Sequence, residues 1–187
     1  KYVFVESITL DKTELALTKG QTATLTATVN PADATDKTVR WTTSDASVAA
    51  VDGGVVTALK SGRVTIAAWA GKCSATCQVT VTTPVTGITL SHTGITLAPK
   101  ESITLDATVE PADADNRYVT WTSSNEDVAI VKDGIVDAKS EGTAIITATC
   151  GAFSSTCLVK VEKNVIPVTS ITLNIGGLKS LDRKSVV

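Results

Sequence analysis

The chain of 187 residues has no methionine and one histidine, and its aromatic residues are limited to three Trp, two Tyr and two Phe. A chain without Met is expected to be processed or excised, so the lack of a basic-then-apolar leader says nothing about secretion. Seventeen basic residues against nineteen acidic ones leave a net charge of -2. No Lys/Arg cluster could track a phosphate backbone, which argues against nucleic acid as a partner. No apolar run reaches the roughly 18 to 20 residues of a membrane-spanning helix, and no Gly-rich phosphate loop leads from a strand into a helix.

Site chemistry is equally sparse. His92 is expected to be a solvated residue on the polar side of a strand, so a nucleophile with an imidazole base is not indicated. Carboxylates pair only in loop-like stretches, Asp33 with Asp36, Asp113 with Asp115, and Glu126 with Asp127. Calcium wants about six or more oxygens, whereas turn and cap chemistry accounts for these residues. Neither a metal nor a cofactor is expected. The four cysteines read as free thiols. Cys77 and Cys157 keep phase with Val79 and Val159 and should point into cores as small hydrophobes. Cys73 lies four residues from Cys77 on one extended strand, about 13 Å away and too far to bond, and Cys150 should face Phe153 across a hairpin rather than Cys157.

What the sequence does have is 43% hydrophobic content, mostly Val, Ile, Leu and Ala, with abundant Thr. β-branched residues on this scale suit pleated surfaces, and an all-β fold is expected. The chain also repeats itself. Val29 to Gly54 returns as Val109 to Gly134 at a constant offset of 80: Pro31-Ala32-Asp33-Ala34 matches Pro111-Ala112-Asp113-Ala114, Trp41 matches Trp121, and Cys77 matches Cys157. A unit of this length is a small domain rather than a solenoid repeat. A third copy opens at Val168-Thr169-Ser170-Ile171-Thr172-Leu173. The organisation expected is therefore one module over 1–83, a second over 84–164, and a linker with the truncated start of a third repeat over 165–187.

Within a unit the alternation is that of half-buried strands, with Leu25, Ala27 and Val29 opposed to Thr24, Thr26 and Thr28, then Val64, Ile66 and Ala68, then Cys77, Val79 and Val81. Turn residues at Lys19-Gly20, Asn30-Pro31, Asp52-Gly53-Gly54, Ser61-Gly62 and Gly71-Lys72 divide each unit into about seven short strands, the count of a two-sheet sandwich. Trp41 and Trp121 are expected as central core plugs.

The series Ile-Thr-Leu, Asn30-Pro31-Ala32-Asp33-Ala34, Val39-Arg40-Trp41-Thr42-Thr43-Ser44-Asp45, Gly54-Val55-Val56-Thr57-Ala58 and Cys77-Gln78-Val79-Thr80-Val81 resembles the bacterial immunoglobulin-like domain, group 2, and both units carry it. The resemblance implies two immunoglobulin-like sandwiches in tandem, in a bacterial or phage surface or secreted protein of the intimin-like adhesin kind, with such domains serving as stalks and sometimes as contact modules. The short Thr82-Thr83-Pro84 link should join them end to end in a monomeric, semi-rigid rod, with a looser second link at 162–167. Trp69, out of phase with Ile66 and Ala68, should project outward, and Tyr118 stands where module one has Thr38. Both are candidates for contact with a host or bacterial surface protein or glycan, with packing against a neighbouring module weighing as much for Trp69. The expected role is a non-enzymatic structural or adhesive module, extracellular or at the bacterial surface. The alternative is a carbohydrate-binding accessory region of a secreted enzyme, with Trp69 and Tyr118 as stacking platforms.

Overall fold

The structure, a computed structural model, describes residues 1–163. The proposed third repeat and most of the second link fall outside these residues. Module one contains β1 (Ser7–Leu10), β2 (Glu14–Thr18), β3 (Thr22–Thr24), β4 (Ala27–Asn30), β5 (Arg40–Thr43), β6 (Ala49–Asp52), β7 (Val55–Ala58), β8 (Gly62–Ala70) and β9 (Cys73–Thr82). Module two repeats the series as β10 (Gly87–Leu90), β11 (Gly94–Leu97), β12 (Ser102–Thr104), β13 (Ala107–Glu110), β14 (Thr120–Ser123), β15 (Ala129–Lys132), β16 (Ile135–Ala138), β17 (Gly142–Cys150) and β18 (Phe153–Val161). The described residues contain no helix.

One layer of module one is the four-stranded sheet β2-β9-β8-β5, and the other is made of β1-β4 with β3-β7-β6. Module two has the same order, β11-β18-β17-β14 over β10-β13 and β12-β16-β15. The β2–β9 and β11–β18 pairs are parallel, Leu17 lying opposite Val81 and Leu97 opposite Val161. Every other ladder among the described residues is antiparallel, and the long hairpins β8–β9 and β17–β18 form the spine of each module.

Each module has nine strands where about seven were expected, in part because one apparent strand is broken. The run from Thr22 to Asn30 alternates without a fault, yet it splits at Leu25-Thr26. β3 pairs with β7 on one side of the break and β4 with β1 on the other. At the break the Leu25 N–H donates to the Gly54 carbonyl at 2.8 Å, and the Thr26 N–H donates to the Asp11 carboxylate at 2.7 Å. The chain thus changes partners without leaving a buried amide unpaired. Leu25 keeps its place in the core.

The Trp plugs are also corrected. Trp41 and Trp121 are only half-buried, and each spans two clusters. Trp41 packs against the lower core of Leu25, Val56, Ile66 and Val79 and also against the upper one of Ile8, Ala68 and Ala70; Trp121 does the same in module two. The fully buried centre is aliphatic, with Val56, Ile66, Val79, Val136, Ile146 and Val159 all shut off from solvent. Burying each such side chain contributes about 1.5–3 kcal/mol. The reason is placement: β5 and β14 are edge strands, so a ring there covers the open side of the sandwich.

The β6–β7 turn explains one glycine pair. Gly53 and Gly54 have φ of 55° and 89°, and Asp133 and Gly134 repeat this with 50° and 84°. Two successive left-handed residues make the two-residue hairpin whose twist matches that of its strands. A Cβ on Gly54 would stand 2.6 Å from the Leu25 carbonyl oxygen and 3.0 Å from the Trp41 ring.

Candidate functional site

Trp69 sits on β8 opposite Arg40 of β5 and Ser74 of β9, which turns its ring to the outer face of the four-stranded sheet. It is exposed, and its indole N–H donates to the Thr42 hydroxyl at 3.3 Å, which lays the ring along the neighbouring strand. Tyr118 precedes β14 and is 76% exposed. An Asn116 side chain accepting the Tyr118 N–H at 3.0 Å fixes its backbone, and the ring borders a shallow groove with Val119, Trp121, Val131 and Lys132. The two aromatics are on separate modules and on different surfaces, one a sheet face and one an edge, so the fold does not gather them into one platform.

An exposed apolar pair was not evident in the sequence. Ile145 and Leu158 are cross-strand partners on the outer sheet face of module two, 45% and 51% exposed. Module one has Thr65 and Gln78 there, hydrogen-bonded at 3.3 Å. The strand alternation places these residues outside correctly, but their chemistry breaks the rule that outer positions are polar.

His92 is exposed, as expected, but it lies in the connection between β10 and β11 rather than on a strand, with its Nδ1 3.0 Å from the Ser91 hydroxyl. The four thiols are free. Burial pushes the Cys77 and Cys157 thiols above their ordinary range, which keeps them protonated and unreactive at neutral pH. Cys150 lies opposite Phe153, as the hairpin register required. Of the loop carboxylates, Asp36 accepts the Thr38 N–H at 2.9 Å, and this bond holds its carboxyl below the usual range. Among the described residues no three His, Cys, Asp or Glu side chains gather as a metal site.

A second carboxylate pair does something the sequence did not disclose. Asp113 and Asp115 belong to module two but reach beyond it, Asp115 to Thr83 of the link and Asp113 to Lys19 of module one. The Asp115 carboxylate accepts the Thr83 N–H at 2.7 Å, and the Asp115 N–H donates to the Thr83 carbonyl at 2.9 Å. Thr83 is 4% exposed, and its hydroxyl is 2.6 Å from that of Ser61 in module one. Beside it, Lys19 meets Asp113 at 2.5 Å, and that hydrogen bond holds the Asp113 carboxyl low. Thr18, Lys19, Gly20, Pro84, Thr86 and Pro111 line the cleft over these contacts. This is an ordered joint between the C-terminal pole of module one and the N-terminal pole of module two. A charged acceptor for a backbone donor is among the stronger hydrogen bonds, so the link is fastened on both sides of a single residue. The available signal was small: at the position equivalent to Asp115, module one has Thr35.

The chain matches known proteins in the same two units. It is 37% identical over 182 residues to an uncharacterised protein of Clostridium acetobutylicum, covering 89% of this chain and 19% of that protein. It is 39% identical over 152 residues to an Ig-like virion protein of Serratia phage KSP90, covering 76% of this chain and 59% of the relative. Over 108 residues it is 47% identical to an alpha-L-arabinofuranosidase of Bifidobacterium longum, covering 54% of this chain and 10% of the enzyme. It thus spans less than two thirds of the length of each. Residues 4–81 and 84–160 each match the bacterial Ig-like domain (group 2), and the chain belongs to that family as two consecutive modules joined pole to pole.

Proposed function

We propose that this segment is a non-catalytic spacer: a pair of sandwiches that hold whatever they are attached to at a set distance and direction, in a protein displayed outside the cell or on a virion. The observation that carries this is the joint. Thr83 is bonded forward to Asp115 and backward to Ser61, and Lys19 pairs with Asp113 alongside it. Modules that served only as separate binding units on a free tether would have no need to fix their mutual orientation. The ten-residue strand β9 runs directly into the joint. At about 3.3 Å per residue it sets a module length of roughly 35 Å with loops, and two modules in line span roughly 70 to 80 Å. Small-angle scattering of the monomer tests this: a maximum dimension near the upper figure supports the spacer, and one near about 50 Å, as for modules folded side by side, ends it.

The arabinofuranosidase relative supports a second reading, a carbohydrate-contacting accessory region attached to an enzyme. Trp69 and Tyr118 are exposed as that reading requires, but on separate modules. A glycan array decides it: binding lost on Trp69→Ala or Tyr118→Ala would favour the accessory region, and an empty array favours the spacer.

A further inference from the structure

The joint has a copy that joins nothing else among the described residues. Module one is module two displaced by 80 residues, so Val3 corresponds to Thr83, Phe4 to Pro84, Asp33 to Asp113 and Thr35 to Asp115. The bonds correspond as well. The Thr35 N–H donates to the Val3 carbonyl at 2.9 Å and the Val3 N–H donates to the Thr35 hydroxyl at 2.9 Å, the same two links that Asp115 makes to Thr83. The receiving half of a joint is therefore already assembled at the N-terminal pole of module one.

What lies over it differs. Thr83 is covered by Ser61 of the preceding module, whereas Val3 is only half-buried. Asp113 meets Lys19, whereas Asp33 meets no cation among the described residues. Phe4 is 74% exposed and Tyr2 55%, their rings 4.8 Å apart. Two large aromatics left on the surface side by side mark a face that gains from being covered.

From this we infer that the N-terminal pole of module one, with Phe4, Asp33 and the Val3–Thr35 clamp, is a docking face for the C-terminal pole of another module of the same kind. That partner presents a lysine to Asp33 as Lys19 is presented to Asp113, and Phe4 takes the place of Pro84 against its turn. The turn that carries such a lysine is itself built twice. In module two the Ala98 N–H donates to the Glu101 side chain at 2.7 Å, repeating the Thr18 to Gln21 bond of 2.9 Å. The Lys100 N–H donates to the Ala138 carbonyl at 2.8 Å, as the Gly20 N–H does to Ala58. Pro99 occupies the position of Lys19, and the lysine of this second turn, Lys100, stands one residue further on with the left-handed φ of 74° that Gly20 has at 87°. A C-terminal pole thus keeps the turn and a cation on it, and module one supplies the version whose lysine is seen to reach an aspartate. The inference stands on the duplicated bonds and the uncovered aromatics, and does not depend on the spacer reading.

The test adds a module to the full chain, with residues 1–82 followed directly by 3–187, so that Thr82 of the added copy continues into the next Val3 and the added Lys19 faces the next Asp33. 15N relaxation then reads how each module tumbles. The result expected is one shared tumbling behaviour for all three modules. Phe4→Ala with Asp33→Ala in the second copy should release the added module to a shorter correlation time, while core amide shifts of every module stay unchanged. Independent tumbling of the added module in the unsubstituted chain would overturn the inference. So would coupling that survives both substitutions, because Phe4 and Asp33 would then take no part in holding the modules. Scattering of the two-module chain is unaffected by either outcome, so a failure here is distinct from a failure of the spacer.

Discussion

At the scale of single residues, each module depends on a ring and a glycine that meet at its open side. Trp41 is half-buried but touches both core clusters, so removing it opens the seam between them rather than a closed cavity. Trp41→Ala is expected to destabilise module one by about 3 kcal/mol and to leave module two unaffected, because distant sites add independently. Calorimetry should show two transitions, only the lower of them displaced from wild type; a single transition for the whole chain would mean that the modules are one cooperative unit. Gly54 gives a sharper comparison. Gly53 and Gly54 both have left-handed φ, but only at Gly54 would a Cβ strike the Leu25 carbonyl and the Trp41 ring. Gly53→Ala should cost about 1 kcal/mol from φ alone, and Gly54→Ala about 2–4 kcal/mol as clash is added to strain. Equal losses in urea melts would show that the close approach does not matter.

At the scale of the strand, the sequence carried faces better than partners. The alternation of Val64, Ile66 and Ala68 on β8, and of Cys77, Val79 and Val81 on β9, predicted these inward residues, because the side-chain period of a strand is a local property of the backbone. The break at Leu25-Thr26 was not legible, since period 2 continues through it while the ladder changes from β7 to β1. Pairing is decided by residues far away, here the Gly54 carbonyl and the Asp11 carboxylate. Cys77 and Cys157 belong to the legible part. They face Ile66 and Ile146 across the long hairpins, and both should resist thiol reagents until the modules unfold, when four thiols titrate without reductant. Their folded pKa values are raised by burial, so the stability they favour is complete below the ordinary thiol range near 9.0. It is lost as pH climbs through the raised values, since the unfolded thiols release protons first. A melting temperature that held constant from neutral pH to well above that range would contradict the buried-thiol account.

At the scale of the whole molecule, the tandem plan was legible from the repeat, but the joint was not. Asp113 and Asp115 have the composition of ordinary turn residues, and only the folded chain brings them to Lys19 and Thr83. Asp113→Asn should leave both module transitions within about 0.5 kcal/mol of wild type, as exposed ion pairs contribute little to folding, yet it should broaden the inter-module orientation seen by 15N relaxation. Acid should act in the same direction. The Asp113 carboxyl is held low by Lys19, so the pair is intact above the ordinary carboxylate range and is lost as pH falls through the lowered value. No effect of either change on relative tumbling would leave Thr83 and Asp115 as the whole joint. The parallel pairing of β2 with β9, Glu14 to Thr18 against Gln78 to Thr82, bears on mechanics. A pull applied between the two ends of the chain would draw β9 toward one pole while β2 is restrained through β1 from the other. The hydrogen bonds of a parallel ladder are evenly spaced and run slantwise from strand to strand, so this five-residue patch would be loaded in shear, its bonds sharing the load, instead of being unzipped one at a time. The β11–β18 pair repeats the patch with four residues in the next module. Each sandwich thus carries its own latch in series along the line of force.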